Sequence, residues 1–315
     1  MSNTTLSLPK IPPLDDTVGA MQIGAACATF LFGIGTLQTY NYYKLFPKDS
    51  ALIKWVVCVL WFFEFGHTIS TWHAVYTVTV TFYGQPQEID VPQHSLVVTI
   101  LFSATIYTIV QVFFANRIRV ISGKWPLTVV CWIISVLRAV CTFAMFGILM
   151  HIAHLSQVAT NYKWVMITGL SLGVGVDVII ATAMCYCLWR IRDSGVSATK
   201  RIVDTLLVWT IETGLATGGA SVALLALFLV RDDLTWIAFY LVLAKLFSNS
   251  LLASLNGRQH FRGDKEIVNL NTARSPTVPV TAPTRSIAFE MSTVTHSVTD
   301  FTMAKDPERL RTLED

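Results

Sequence analysis

The chain has 315 residues, of which 53% are hydrophobic and 14% charged. Soluble domains carry roughly 25% charged residues, so this one cannot cover itself with polar surface and needs lipid. A net charge of +3 gives no footing for nucleic acid as a partner.

Residues 1–17 read as a tail with no basic n-region, so no cleavable signal peptide is expected and the first apolar run doubles as the targeting signal. The tail carries an N-glycosylation sequon, Asn3-Thr4-Thr5. Seven apolar runs follow, at about 18–43, 51–82, 94–116, 126–150, 163–189, 204–230 and 234–256. Each is long enough to cross the hydrocarbon core as a helix, which takes about 20 residues. None shows the period-two alternation of a barrel strand. Arg231-Asp232-Asp233 joins the last two as a tight polar hairpin. The expected fold class is therefore all-α, a polytopic transmembrane bundle of seven helices over 18–256.

Lysine and arginine set its orientation. Lys44, Lys48 and Lys54 lie in or beside the first loop, Arg117, Arg119 and Lys124 in the third, and Arg190, Arg192, Lys200 and Arg201 in the fifth. The other side offers Lys10, Lys163 and Arg231, with Glu88 and Asp90 in the second loop. The N-terminus is expected outside and the C-terminus in the cytoplasm, possession of a multi-pass topology fitting a membrane such as the plasma membrane. From Gly257 the chain turns to Ser, Thr and Pro, as in Ser275-Pro276-Thr277. Such a composition cannot bury enough surface to fold, so 257–315 reads as a disordered cytoplasmic tail, open to phosphorylation and to a cytoplasmic partner.

The cysteines (Cys27, Cys58, Cys131, Cys141, Cys185, Cys187) all fall in apolar runs, where no disulfide framework is expected. Ionisable residues within the spans are more informative, because each costs at least about 2.5 kcal/mol at the bilayer centre. Glu64 and His67 lie near the middle of the second span, Arg138 of the fourth, Asp177 of the fifth and Lys245 of the seventh. Glu212 sits in the cytoplasmic half of the sixth. Glu64 and Asp177 are fit to neutralise Arg138 and Lys245, leaving Glu212 as a proton carrier or a partner from below.

Helical spacing groups Glu64, His67, Thr68 and Thr71 on one face, Ser103, Tyr107 and Gln111 on another, and Lys245, Ser248, Asn249 and Asn256 on a third. Gly169-x-x-x-Gly173 allows close helix approach beside Asp177. Two readings of this midplane cluster stay open: a polar pocket or proton path, and a set of ion pairs fixing helix register with no ligand.

His73, His94, His151 and His154 fall towards the outer face, and imidazoles there are candidate zinc ligands or pH sensors, although no fixed ligand spacing links them. Glu64-Phe65-Gly66-His67 has Glu-x-x-His spacing, but a di-metal bundle needs a second copy that the sequence lacks. His-Glu-x-x-His and P-loop motifs are absent, and no cofactor is expected. Lys245 in Val242-Leu243-Ala244-Lys245 resembles the retinal lysine of microbial rhodopsins, yet the third span has no counter-ion carboxylate. Rhodopsin-type receptors would show Asp-Arg-Tyr and Asn-Pro-x-x-Tyr, where this chain has Asn116-Arg117-Ile118 and Asn249-Ser250-Leu251.

A fuller resemblance runs from about Val18 to Arg262. It is carried by Leu31-Phe32-Gly33-Ile34, Gln38-Thr39-Tyr40, Phe46-Pro47-Lys48-Asp49, His67, His73 and Tyr83-Gly84-Gln85-Pro86. It continues through Gln111 to Ile118, Asp177, Cys185-Tyr186, Thr210-Ile211-Glu212-Thr213-Gly214-Leu215, Lys245, Asn249 to Ala253 and Asn256-Gly257-Arg258. These residues resemble a family of seven-span integral membrane proteins of mushroom-forming fungi that has no established activity. Its domain of unknown function covers spans five to seven. The resemblance implies a fungal membrane protein with a variable cytoplasmic tail, and it picks out His67, Asp177, Glu212, Lys245 and Asn249.

The function expected first is a receptor-like sensor, in which a small molecule or lipid enters the bundle and the basic face with its tail reports. A proton-coupled carrier built on Glu64, Asp177, Glu212 and Lys245 is the alternative. An intramembrane lipid hydrolase using the outer histidines with a metal, a retinal protein and a scaffold rank below these.

Overall fold

The computed structural model describes residues 15–258 apart from 86, 87, 89, 156, 195, 196, 232 and 233. The sequon at Asn3, the hairpin residues Asp232 and Asp233, and the tail beyond Arg258 lie outside the described residues.

Where the chain is apolar for long enough, its backbone must satisfy its own hydrogen bonds, and a helix does so within one segment. Among the described residues the long elements are α1 (Ala20–Leu45), α2 (Ala51–Tyr76), α3 (His94–Ser122), α4 (Pro126–His151), α5 (Lys163–Ser194), α6 (Ser197–Val230) and α7 (Thr235–Asn256). All seven are long and apolar enough to cross a membrane. The protein is a seven-helix integral membrane protein.

Local chemistry sets several ends. Pro126 opens α4, where its missing N–H costs nothing. Gly123 ends α3 in the left-handed region at φ 68°, donating its N–H to the Arg119 carbonyl. Past Tyr76, α2 widens into a looser turn over Thr77–Thr81. There Thr77 and Thr79 donate their hydroxyls to the carbonyls of His73 and Val75 at 2.8 and 2.7 Å. The fifth loop expected between 189 and 204 is mostly helix, because α5 and α6 run on until only 195 and 196 separate them. Hydropathy marks where lipid ends. A charged segment without proline continues its helix into water, and Arg192 pairs with Asp204 there at 2.6 Å.

The helices form a ring in chain order, α1 closing against α7, while α3 also reaches α5 and α7. The apolar stretches of α7 and α3 are 56% and 44% buried, against 22% for α2, α4 and α6, so α7 and α3 are innermost. The main core gathers Tyr42, Leu60, Ile106, Val110, Leu243 and Leu251 from α1, α2, α3 and α7. A second joins Ile118, Cys131, Val176 and Met184 from α3, α4 and α5. Phe30, Phe62, Ile133, Leu215 and Val230 point outward and exposed, an apolar girdle that water would not tolerate.

Two glycine contacts fix the packing. A Cβ on Gly24 would lie 2.5 Å from Ala238 Cα, so α1 and α7 touch backbone to backbone. A Cβ on Gly173 would lie 2.9 Å from the Arg138 guanidinium, and one on Gly169 would lie 3.3 Å from Cys141 Cβ. The Gly169-x-x-x-Gly173 face is therefore the seat of α4.

Candidate functional site

On α2, helical spacing turns Glu64, His67 and Thr71 to the interior, and all three are buried. Lys245 on α7 faces them and is only 1% exposed. Its ammonium has three donors. All three find acceptors: the Glu64 carboxylate at Oε2, the Glu64 carbonyl at 3.0 Å and Thr68 Oγ1 at 2.8 Å. Ser248, one turn further along α7, donates to the other carboxylate oxygen. The Phe32 ring lies 5.2 Å from the ammonium. This is a closed lock between α2 and α7, and such matching offsets the cost of taking two charges out of water. His67 adjoins it, its Nδ1 3.5 Å from Thr71 Oγ1 and its Nε2 without a partner.

The same stripe of α7 binds α1. Asn249 donates to the carbonyls of Leu31 and Lys245 at 3.0 and 2.7 Å, and Asn256 to that of Gln38 at 2.8 Å. Gly35 faces this amide, and a Cβ there would meet its oxygen at 3.5 Å, an ordinary contact. Just past α7, Arg258 pairs with Asp49 at 2.6 Å and covers the Phe46 ring at 4.4 Å. Tyr42 donates to the same Asp49 carboxylate at 3.1 Å.

A second network lies across the bundle. Asp177 on α5 accepts from Gln111 Nε2 on α3 at 2.9 Å and from Ser221 Oγ on α6 at 3.2 Å. Arg138 on α4 forms no ion pair within 4 Å among the described residues. Its guanidinium instead lies 4.2 Å from the Tyr107 ring and 5.5 Å from that of Phe247. A ring face attracts a cation by its quadrupole, by about 2 kcal/mol or more when desolvated.

The residues expected as one midplane cluster thus fall into two groups. Glu64, His67, Lys245 and Asn249 share the α1–α2–α7 side; Asp177 and Arg138 share the α3–α4–α5–α6 side. Glu212 joins neither, because it lies on the exposed face of α6 beside Ile211 and Leu215. The hydroxyls and amides that complete the two networks are Thr68, Gln111, Ser221 and Ser248. Gln111, Thr68 and Ser248 stand on the polar helical stripes named above, and Ser221 ends a further stripe on α6, with Thr210, Thr213 and Thr217, that helical spacing also reveals.

The outer histidines stay apart. His73 Nδ1 meets Ser95 Oγ at 3.0 Å, and His154 Nδ1 meets Asp90 at 3.3 Å. His94 starts α3 and His151 finishes α4, and neither joins a ligand cluster among the described residues. Among the described residues, no three His, Cys, Asp or Glu side chains converge as metal ligands. Retinal does not fit Lys245 as arranged, since the amine is wholly bonded and the adjoining cavity measures about 10 Å³.

No curated protein and no solved structure matches the chain. A family of unknown function (DUF6534) matches residues 173–260, the stretch from the middle of α5 through α7 that carries Asp177, Ser221, Lys245 and Asn249.

Proposed function

We propose that this chain is a receptor-like sensor of a fungal plasma membrane, with its N-terminus outside and its tail in the cytoplasm. A small-molecule or lipid ligand acts on the Lys245–Glu64 lock, and α7 carries the change to the tail. The observation that supports this reading is the way α7 is held. It is bonded to α2 at Lys245 and Ser248, to α1 at Asn249 and Asn256, and to the α1–α2 loop at Arg258. A helix clamped at each level and leading straight into the tail passes on any shift in its clamps. Lys44, Arg119 and Arg192, in the last turns of α1, α3 and α5, support placing that end in the cytoplasm. The fungal source rests on the resemblance of the spans alone.

Thermal unfolding of the detergent-purified protein against lipids, sterols and metabolites tests it, with Lys245→Met beside the wild type. A ligand present at 100 times its Kd stabilises by about 2.7 kcal/mol. The expected result is a compound that raises the wild-type Tm and leaves a folded Lys245→Met unmoved. A compound that shifts both equally would place binding away from the lock and overturn the reading.

The carrier reading draws on a different observation: among the described residues Asp177 has no ion pair within 4 Å. It predicts substrate flux in proteoliposomes that disappears in Asp177→Asn.

A further inference from the structure

The Asp177 network borders a cavity of about 40 Å³ among α3, α5, α6 and α7, walled by Gln111, Asp177, Thr213, Thr217, Met184 and Phe247. Several of the hydroxyls at its polar wall have their protons committed elsewhere. Thr213 and Thr217 donate their hydroxyls to the carbonyls of Trp209 and Thr213, at 2.7 and 3.0 Å. Ser221 donates to Asp177 itself. Gln111 is 1% exposed, and its Oε1 has no hydrogen-bond partner. The cavity therefore offers lone pairs and one carboxylate charge. Among the lining residues Asp177 carries the only formal charge, so a cation finds ligands there.

Size narrows the choice. A water needs roughly 10–15 Å³ by this measure, while pockets for organic ligands run to roughly 300–1,000 Å³. There is room for an ion with a water or two, and none for an organic amine. Carboxylate, amide and hydroxyl oxygens are hard donors, suited to alkali and alkaline-earth ions. With one carboxylate on its wall and the Arg138 guanidinium one turn away, the site has no charge to hold a divalent ion. A half-turn of the Gln111 amide exchanges its N–H contact with Asp177 for an oxygen facing the ion.

We propose that Asp177, Gln111, Thr213 and Thr217 form a binding site for a sodium-sized monovalent cation. The charges around it are accounted for on each side. From α4, Arg138 lies against Gly173, one turn from Asp177 on the same face of α5, and its charge opposes the ion. From α3 come the neutral Gln111 and Tyr107, from α6 Ser221 and from α7 Phe247. Lys245 is matched by Glu64, and Glu212 faces outward. The site shares no residue with the Lys245–Glu64 lock, so it stands independently of the sensor reading.

The test is thermal unfolding of the full chain in detergent, with NaCl titrated against N-methyl-glucamine chloride at constant total salt, and KCl as a second series. The expected result is a saturable rise in Tm with a lower midpoint for sodium than for potassium. Asp177→Asn should abolish the rise and Thr217→Val should move the sodium midpoint several-fold upward. Arg138→Met should move it downward, a direction that a purely structural role for these residues does not produce. Equal shifts with every cation would overturn the proposal, as would a wild-type midpoint in Asp177→Asn. If Asp177→Asn does not fold, an unchanged midpoint in Thr217→Val overturns it.

Discussion

Glu64 is the residue on which the buried lysine depends most directly. Removing its charge leaves an ammonium inside the bundle with amide and hydroxyl acceptors only, and an uncompensated buried charge costs about 3–5 kcal/mol. Glu64→Gln should therefore lower the Tm sharply, and Lys245→Met should do the same by stranding the carboxylate. The double variant should recover much of the loss, since neither charge then remains. Thermal unfolding of the three variants checks this, and additive losses in the double variant would refute the coupling. That Glu64 and Lys245 face inward was legible in the sequence, but which carboxylate meets which cation was left open there. Counting along a helix gives height at 1.5 Å per residue, and it leaves open which neighbour stands opposite. Arg138 was expected to find a carboxylate and found a tyrosine ring instead. Glu212 could have been placed from the text alone. Thr210, Thr213, Thr217 and Ser221 recur at helical spacing as the inner stripe of α6, and Glu212 lies about 100° from Thr213.

Among the elements, α7 has the least freedom. Its backbone touches α1 at Gly24, where even a methyl group meets the Cα of Ala238. Gly24→Ala should therefore destabilise by about 1–3 kcal/mol, as overpacking does. Gly33→Ala has nothing within 4 Å and should be neutral or slightly stabilising, given that alanine favours a helix by about 1 kcal/mol over glycine. Paired unfolding curves of the two variants check this. Equal behaviour would mean that the α1–α7 contact is less tight than the packing shows. The small-residue pattern that matters here, Gly24 against Ala238, joins two helices more than two hundred positions apart, so no local spacing reveals it. Gly169 and Gly173, four apart on one helix, were visible at once.

For the whole molecule, the seven-helix architecture was readable because apolar length is a one-dimensional signal. Ring order and the inner positions of α3 and α7 depend on which faces meet, and mean hydropathy does not encode that. The proposed orientation rests on the basic ends. An N-terminal epitope should be accessible on intact cells and a C-terminal one only after permeabilisation, and the reverse pattern would invert every statement about outer and cytoplasmic faces. The hairpin of α5 and α6 carries a further consequence. Helices of 32 and 34 residues are about 48 and 51 Å long at 1.5 Å per residue, against about 30 Å of hydrocarbon. The excess stands clear of the lipid at the basic end as a stiff double rod, cross-braced by Arg192 and Asp204. Held that way, it would act as a mechanical arm pivoting at the bilayer surface. Any tilt of α5 and α6 within the membrane sweeps its tip through a wider arc, carrying movement into the water by a route separate from the tail.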